Sequence, residues 1–563
     1  MGLSISAEEK RIIELFAKTN KYIIPSYQRP YSWGEKECSE LWDDLNFRFE
    51  DRNSDGYFLG NIVLAKSKSN LDIEVIDGQQ RLLTLIIILK VLYLIKFNRD
   101  LEESIWHIDR DTEDKFPRVK TLVYEDKDNK NFENILKFKI EDIDKIEIKK
   151  ANQFEENMLF FYDKLKEFTD KKIISFRNFV LDKLYVLSIQ SIDLEEDKAR
   201  EKALVIFETI NNRGLDLSDA DIFKAQLYNS ALNQKKSQDF IEKWKDLVEL
   251  AKVNKYANLV DVFRIYTHIL RGKKRETGNE IGLRKFFMQD GTENNDKIDY
   301  KPLRKRDYNE VIKDLNKILL TVDTFNNSIQ NKNSKYSKFS KWFQVIEEYT
   351  NNYPKYIIFI YLYYNTTILE DNTLLLDSKK EDELLLLSQN IIRYVYMHSS
   401  AMKIKFEIFK LIAKIAHHET YSFIDTLEKV NEENFRNFGK KDGRRKGFSL
   451  LSIYLDTQQD TVYSYYFDKL INSINKKNLN SSWDNQDYDD YYYSIANQLV
   501  TDNKTKTKAL DRRVKSFEES KILDLNRLSK KLKNNNLNYK DFKDRENENI
   551  KRLVSFFSKD TLW

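Results

Sequence analysis

The stretch Ile73–Thr84, IEVIDGQQRLLT, changes from strand-like to helix-like sequence within a few residues. Three of its first four residues are β-branched, and such residues are enriched in strands. Asp77-Gly78 is a turn pair, and the apolar residues from Leu82 onwards are typical of a helix. The sequence therefore predicts a strand that ends near Ile76, a tight turn, and a helix that begins at about Gln79.

The predicted turn has features of an anion-binding site. The first turn of a helix has unpaired backbone N–H groups and the positive end of the helix dipole, and Gly78 lets a ligand approach the backbone. Arg81 opposes that dipole unless an anion lies there, and Asp77 could bind Mg²⁺ beside a phosphate. Gln79 or Gln80 could orient an attacking water. The same residues also fit a capped polar turn in which Arg81 forms a structural ion pair.

A second cluster lies upstream, in Ile24–Trp33, IPSYQRPYSW. Pro25 and Pro30 predict an extended loop that presents aromatic side chains next to Arg29. Arginine beside aromatic rings is suited to stacking on a base and to pairing with a phosphate. The pattern is equally typical of aromatic side chains that close the edge of a core.

Composition excludes several classes of protein. The 563 residues contain 95 Lys+Arg and 91 Asp+Glu, a formal net charge of +4, so a nucleic-acid surface would have to be a local patch. The single cysteine, Cys38, excludes a disulfide framework and a cysteine-based zinc site. The apolar run Leu82–Phe97 has Lys90 at its centre and predicts a buried core helix. No signal segment is visible, and we expect a cytoplasmic protein without a membrane partner.

The order of strand and helix signals predicts an α+β protein with three domains. Residues 1–235 mix both signals, beginning with a short helix at Glu8–Lys18. Residues 236–430 are almost purely helical, and residues 431–563 form a basic, mainly helical end. The glycine-punctuated run at 439–447 predicts a loop near the last boundary.

Four ordered blocks over about 200 residues resemble the N-terminal domain of the GmrSD-type modification-dependent (type IV) restriction enzymes. The blocks are Ile24–Trp33, Phe58–Leu64 (FLGNIVL), Asp77–Arg81 (DGQQR) and Phe207–Lys224. The resemblance implies a ParB/sulfiredoxin-like α/β core that binds and hydrolyses a nucleoside triphosphate, GTP or ATP. One departure is Leu83, where relatives usually have threonine.

The resemblance also implies the site residues. It gives Asp77, Gln79, Gln80 and Arg81 as the catalytic nucleotide site, with Gly78 within it. It places Tyr27, Gln28 and Arg29 at or beside that site, and it suggests that Asn211 and Arg213 close it. The cofactor expected is Mg²⁺ bound with the triphosphate, at Asp77.

The C-terminal part resembles the His-Me-finger (HNH-like) nucleases common in this family, in a degenerate form. Ser494–Val500 resembles one motif of that domain, but no histidine or proline stands upstream where the motif requires them. Asparagine cannot replace a histidine as general base. The basic stretch after residue 501 predicts contacts with DNA through Arg512, Arg513 and Lys515, although a solvated helix face explains such a charge run equally well.

The sequence therefore predicts an anti-phage defence protein whose triphosphate hydrolysis controls DNA recognition or cleavage. Three alternatives remain open. The chain could be a nuclease with unrecognised catalytic residues, a nucleotide- or DNA-binding regulator without turnover, or a scaffold for partner proteins of a defence system.

Overall fold

The computed structural model describes residues 5–17, 19–51, 55–68, 72–109, 112–123, 126–143, 145–147, 149–211, 219–254, 256–288, 302–371, 373–398, 401–421, 430–439, 442–471, 483, 488, 491–504, 510–532, 538–559 and 562–563. The chain forms two compact units. The first contains Met1–Asp246, Phe287–Thr292 and Asp299–Glu310. The second contains Leu247–Phe286, Glu293–Ile298 and Val311–Trp563. The boundaries of the three predicted domains stay a prediction.

The first unit combines strands and helices. Its strands are β1 (Ile5–Arg11), β2 (Lys21–Ile24), β3 (Tyr57–Ser67), β4 (Asp72–Asp77), β5 (Trp106–Ile108), β6 (Lys115–Pro117), β7 (Val119–Thr121) and β8 (Leu184–Asp193). Its helices up to β8 are α1 (Ile12–Leu15), α2 (Glu35–Glu50), α3 (Gln79–Ile95), α4 (Arg99–Ile105), α5 (Asp126–Lys137), α6 (Ile140–Ile143), α7 (Gln153–Leu165) and α8 (Asp170–Asp182). Helices α9 (Glu196–Asn211) and α10 (Asp219–Asn233) follow, and α11 (Ser237–Val253) leads into the second unit.

A six-stranded mixed sheet organises the first unit, in the order β1-β8-β3-β4-β2-β7. Strand β3 pairs parallel with β8 and antiparallel with β4, and β2 pairs parallel with both β4 and β7. The register of β3 shifts between Phe58 and Gly60, where Gly60 has φ +119°. Such a bulge re-aims neighbouring side chains, and here it lies beside the end of β4.

Helix α3 is the central helix of this unit. It begins at Gln79 and ends at Ile95, and almost every side chain from Leu82 to Leu92 is buried. Lys90 is 3% exposed, and burial lowers the pKa of its ammonium group to about 8. The predicted core helix is therefore confirmed. Among the described residues, no helix has the length and apolarity to cross a membrane.

The predicted helix at Glu8–Lys18 is wrong. Residues Ile5–Arg11 form a strand that pairs antiparallel with β8 from Ile5↔Ser191 to Arg11↔Tyr185, and the helix that follows is limited to Ile12–Leu15. Backbone pairing along the whole of β8 outweighs a local helical pattern, because intrinsic propensities amount to less than about 1 kcal/mol per residue.

The second unit is mainly helical. Its helices are α12 (Leu259–Lys273), α13 (Leu283–Met288), α14 (Tyr308–Gln330), α15 (Ser340–Glu347), α16 (Tyr353–Asn365), α17 (Ser378–Met397), α18 (Ala401–Ala416), α19 (Glu432–Gly439), α20 (Asp442–Tyr454), α21 (Leu510–Glu518), α22 (Leu523–Lys531) and α23 (Tyr539–Phe557), of which α13 and α14 extend across the division between the units. Short 3₁₀ helices lie at Leu303–Lys305, in the first unit, and Lys335–Phe339. Two antiparallel pairs join β9 (Thr367–Ile368) with β10 (Leu374–Leu375) and β11 (Tyr466–Lys469) with β12 (Gln498–Thr501). A mixed sheet followed by helices confirms the predicted α+β class.

Candidate functional site

The turn between β4 and α3 is held in a left-handed conformation by Gly78. Its φ is +89°, which side chains rarely adopt, and a Cβ there would lie 3.0 Å from Ile62 Cγ1. A glycine is therefore required both by the backbone angle and by the close approach of β3. The result places Asp77 at the end of the strand and Gln79 at the first position of the helix.

Arg81 lies across the bulge of β3. Its Nη1 donates a hydrogen bond of 2.6 Å to the carbonyl oxygen of Asn61. Gly60 leaves room for the guanidinium, because a Cβ at that position would be 3.0 Å from Arg81 Nη1. The hydrogen bond between Arg81 and Asn61 thus joins two of the sequence blocks, DGQQR and FLGNIVL.

Gln80 connects helix α3 to the proline loop, residues 25–33. Its Oε1 accepts hydrogen bonds from the backbone N–H groups of Ser32 (2.8 Å) and Trp33 (3.3 Å). Its Nε2 donates to the carbonyl oxygen of Pro30 at 3.1 Å. Both ends of this carboxamide are therefore engaged by the loop.

The proline loop is also tied to the strand that leads into the turn. Gln28 Nε2 donates to the carbonyl oxygen of Ile76 at 2.9 Å. The Tyr27 ring is 4% exposed and packs on Tyr228 at a centroid distance of 4.7 Å. Arg29 is exposed on the same loop. Gln28 and Tyr27 hold the loop in place, and Arg29 is the member of the trio that faces solvent.

The contacts of Tyr31 support the interpretation that the aromatic side chains of this loop close the edge of a core. Its ring stacks on Phe154 at 4.6 Å, and its hydroxyl lies 2.7 Å from Thr84 Oγ1. Asn157 Nδ2 donates to the same hydroxyl at 2.9 Å. The loop is consequently fixed on its inner side by side chains of α3 and α7.

Gln79, unlike Gln80, makes no hydrogen bond to the proline loop in the described structure. It is 5% exposed, and its Oε1 accepts no hydrogen bond from any described residue. A buried carbonyl oxygen without a donor is costly, and native proteins rarely retain one without a reason. A ligand or water that donates a hydrogen bond here would satisfy it.

Asp77 has an unusual electrostatic environment. Burial raises the pKa of its carboxyl group above the usual value, although Arg81, the Gly78 N–H and Arg29 act in the opposite direction. The carboxylate therefore prefers a further positive partner. No group of three or more metal-ligating side chains exists among the residues that the structure describes. A magnesium ion that keeps its waters and binds phosphate oxygens can nevertheless be held by one carboxylate, so Asp77 fits that group.

Two residues near the site were not among those predicted. Arg200 on α9 donates from Nε to Glu74 of β4 at 2.6 Å and lies beside Tyr27. Lys224, in the fourth sequence block, is 3% exposed, and its Nζ lies 3.5 Å from the carbonyl oxygen of Gln28. The block contained a signal for Lys224, whereas nothing in the local pattern marks Arg200.

The remaining predicted residues have different positions. The side chain of Asn211 and the whole of Arg213 lie outside the described residues. On α21, Arg512 and Lys515 are exposed, but Arg513 is fully buried and pairs with Asp468 at 3.2 Å. Arg513 is therefore part of the core of the second unit and is not available to a DNA backbone.

The segment Ser494–Val500 has a structural role in the second unit. Asn497 Oδ1 accepts from the Ile471 N–H at 2.7 Å, and its Nδ2 donates to the Tyr492 carbonyl oxygen at 2.8 Å. These bonds connect the start of β12 to the chain that follows β11. The likeness to a nuclease domain stays a prediction.

One comparison with known protein families matches the part of the chain that contains the sheet and the turn. Residues 12–228 match the family model described as the N-terminal domain of the GmrSD restriction endonuclease. The matched range includes the proline loop, the bulge of β3, the Asp77–Arg81 turn and Lys224. No curated protein matches the chain. Residues 12–228 are therefore similar to the N-terminal domain of the GmrSD restriction endonuclease.

Proposed function

We propose that the first unit binds and hydrolyses a nucleoside triphosphate, GTP or ATP, at the Asp77–Arg81 turn. Hydrolysis would control the action of the chain on DNA. The observation that carries the proposal is Gln79, whose buried Oε1 lacks a donor among the described residues in the same helical turn as Arg81.

The positive groups around the turn support phosphate binding. Leu82 is the first residue of α3 whose N–H bonds back to the turn, at Gly78, so the three preceding N–H groups lie at the positive end of the dipole. Arg81 uses one of its five N–H groups on Asn61 within the described structure. Arg29 is exposed and close enough to lower the pKa of Asp77. Two guanidinium groups and a helix N-terminus are suited to a triphosphate.

The two glutamines have different roles in this proposal. Gln79 Oε1 accepts a hydrogen bond from the attacking water and orients it. Gln80 positions the proline loop, because its amide is already bonded at both ends. Asp77 would hold Mg²⁺, which neutralises charge on the phosphates when bound. Arg81 stabilises the negative charge that develops on the transferred phosphoryl group.

Phosphate release from GTP and from ATP by the purified chain, with and without DNA, tests the proposal. We expect release that requires Mg²⁺ and saturates with nucleotide. Stimulation by DNA would connect hydrolysis with restriction. Tight nucleotide binding without release would favour a regulatory binding module, and neither binding nor release would contradict the proposal.

We expect Asp77→Asn to raise the Tm of the nucleotide-free protein at neutral pH. The folded-state pKa of Asp77 is raised, so its stabilising contribution is present below the unfolded-state pKa and is lost as pH rises through the folded-state pKa. At neutral pH the wild type carries the cost of a buried charge, which asparagine avoids. The difference in Tm should shrink in acid, as thermal melts between pH 4 and 8 would show. A lower Tm for the variant at pH 7 would contradict this account.

Helix α21 gives a separate prediction about DNA. Arg512 and Lys515 are exposed three residues apart, which places them on one helix face. If this face contacts phosphates, Arg512→Ala with Lys515→Ala should weaken DNA binding and reduce the slope of log K against log salt by about 1 to 2. Arg513→Ala should instead destabilise the unit by about 3–5 kcal/mol, since it leaves Asp468 buried without its partner. Fluorescence anisotropy over a salt series measures DNA binding by the double variant. An unchanged slope in that variant rules the contact out.

A further inference from the structure

A cleft of about 560 Å³ lies in the second unit. Helix α12, the chain around Glu280, the first turn of α16 and helix α18 surround it. Its volume is within the range of small-molecule sites in proteins, about 300–1,000 Å³.

The floor of the cleft is a satisfied polar cluster around Glu280. Lys405 Nζ lies 3.0 Å from Glu280 Oε2, which also accepts the Tyr353 hydroxyl. Burial acts to raise the pKa of Glu280, but these hydrogen bonds hold it below its usual value. His268 Nε2 lies 3.4 Å from Glu280 Oε1, and burial lowers the pKa of the imidazole to about 4. At neutral pH the histidine is uncharged, and Lys405 balances Glu280.

Two groups on the wall of the cleft are not satisfied. The Tyr356 side chain is 6% exposed, and its hydroxyl has no hydrogen-bond partner in the described structure. Arg264 is exposed at the rim, close enough to affect the pKa of Tyr356, and makes no ion pair with a described residue. Asp261, one turn earlier on α12, is likewise near Tyr356 without pairing with Arg264. A buried hydroxyl beside an exposed guanidinium can bind a ligand that offers hydrogen-bond acceptors.

We propose that this cleft binds a small phosphorylated ligand of mononucleotide size. The phosphate oxygens accept hydrogen bonds from Arg264 and from the Tyr356 hydroxyl, at the positive end of the α16 dipole. Asn351 and Asn352 precede α16 and line the cleft, and Asn351 Oδ1 accepts the Tyr353 N–H, so its Nδ2 remains to donate to the rest of the ligand.

The charged side chains of the cleft leave one guanidinium for a ligand, at Arg264. Glu280 is neutralised by Lys405, and the remaining charged side chains near Tyr356 are Arg264 and Asp261. One guanidinium and one hydroxyl are sufficient for a monophosphate, whereas a triphosphate would need more positive charge. This site is therefore distinct in its chemistry from the Asp77–Arg81 turn.

Tyr356→Phe tests the assignment without removing the ring. Calorimetric titration of the full chain uses AMP, GMP and inorganic phosphate as probes. We expect Tyr356→Phe to bind a mononucleotide about tenfold more weakly. The Tm without ligand should be unchanged or higher, because the variant loses a buried hydroxyl that has no partner among the described residues.

Tyr364→Phe is the matched control. Tyr364 is on the same helix and also has a buried hydroxyl without a described partner, but it does not line the cleft. Binding should be unchanged in this variant and reduced in Arg264→Ala. Equal binding by wild type and Tyr356→Phe would overturn the proposal, as would no binding of any probe. Binding abolished by Arg81→Ala but not by Tyr356→Phe would assign the nucleotide to the first unit and overturn it too.

Discussion

Replacing Arg81 with alanine is expected to reduce phosphate release from GTP or ATP at least about 100-fold, as removal of one transition-state donor commonly does. The variant loses a guanidinium at the positive end of α3 and the hydrogen bond to Asn61. The first loss affects the transition state, and the second affects the fit of the helix against the bulge of β3. Steady-state phosphate release and thermal melting measure the two effects separately.

Arg81→Lys and Arg99→Ala are the controls for this variant. Lysine retains the charge but not the planar fork, so we expect partial recovery of nucleotide binding and little recovery of turnover. Arg99 is an exposed arginine of the same unit, paired only with Glu103 among described residues, and its replacement should leave the rate unchanged. Wild-type turnover by a folded Arg81→Ala protein would exclude Arg81 from the mechanism.

The adjacent glutamines should respond in opposite ways to substitution by alanine. Gln80→Ala removes the partner of Ser32 N–H and of the Pro30 carbonyl oxygen, and each unsatisfied buried group costs about 1–3 kcal/mol. We expect its Tm to fall by roughly 5 °C. Gln79→Ala breaks no hydrogen bond in the described structure, so its Tm should be unchanged or higher. Its phosphate release should nevertheless fall about 100-fold.

Nucleotide affinity separates these two causes of lost activity. Gln79→Ala should bind nucleotide nearly as well as wild type, because its proposed partner is the attacking water. Gln80→Ala should bind less well, since the proline loop that carries Arg29 is released. If Gln79→Ala destabilises the protein and leaves turnover intact, Gln79 is structural and the assignment of the two roles is wrong.

Local sequence was sufficient to predict the elements that form the candidate site. The strand up to Ile76, the turn at Asp77-Gly78 and the helix from Gln79 all stand where the pattern predicted them. The reason is that turn chemistry and side-chain periodicity act over a few residues. The assignment of roles within the turn was not predictable in this way, because Gln79 and Gln80 have the same side chain.

Their difference depends on contacts far along the chain. Gln80 contacts residues about 50 positions earlier, whereas Gln79 Oε1 has no hydrogen-bond donor among the described residues. Arg200 and Glu74 are separated by 126 positions, and only the packing of α9 on the sheet brings them together. The sequence allowed Tyr27 and Tyr31 to stack on a base, but both rings are buried in the fold.

The glycine-containing run at 439–447 is another segment whose structure could not be predicted from local sequence. The run predicted a loop, but Asp442–Tyr454 is a helix that includes Gly447. The Tyr396 ring of α17 occupies the space where a Cβ at 447 would be. The glycine is needed for close packing between two helices. A glycine required by a turn and a glycine required by close packing look the same in the sequence.

The sequence by itself determined the strand–turn–helix at residues 73–95, the α+β class and the block order that matches the GmrSD N-terminal domain. Tertiary structure alone decided that residues 5–11 pair with β8, that Arg513 is buried, and that Gln79 Oε1, unlike the Gln80 side chain, has no partner among the described residues. The physical reason is the distance along the chain over which each interaction acts. Propensity and turn chemistry act between neighbours, whereas burial and hydrogen-bond satisfaction depend on segments that meet only in the folded chain.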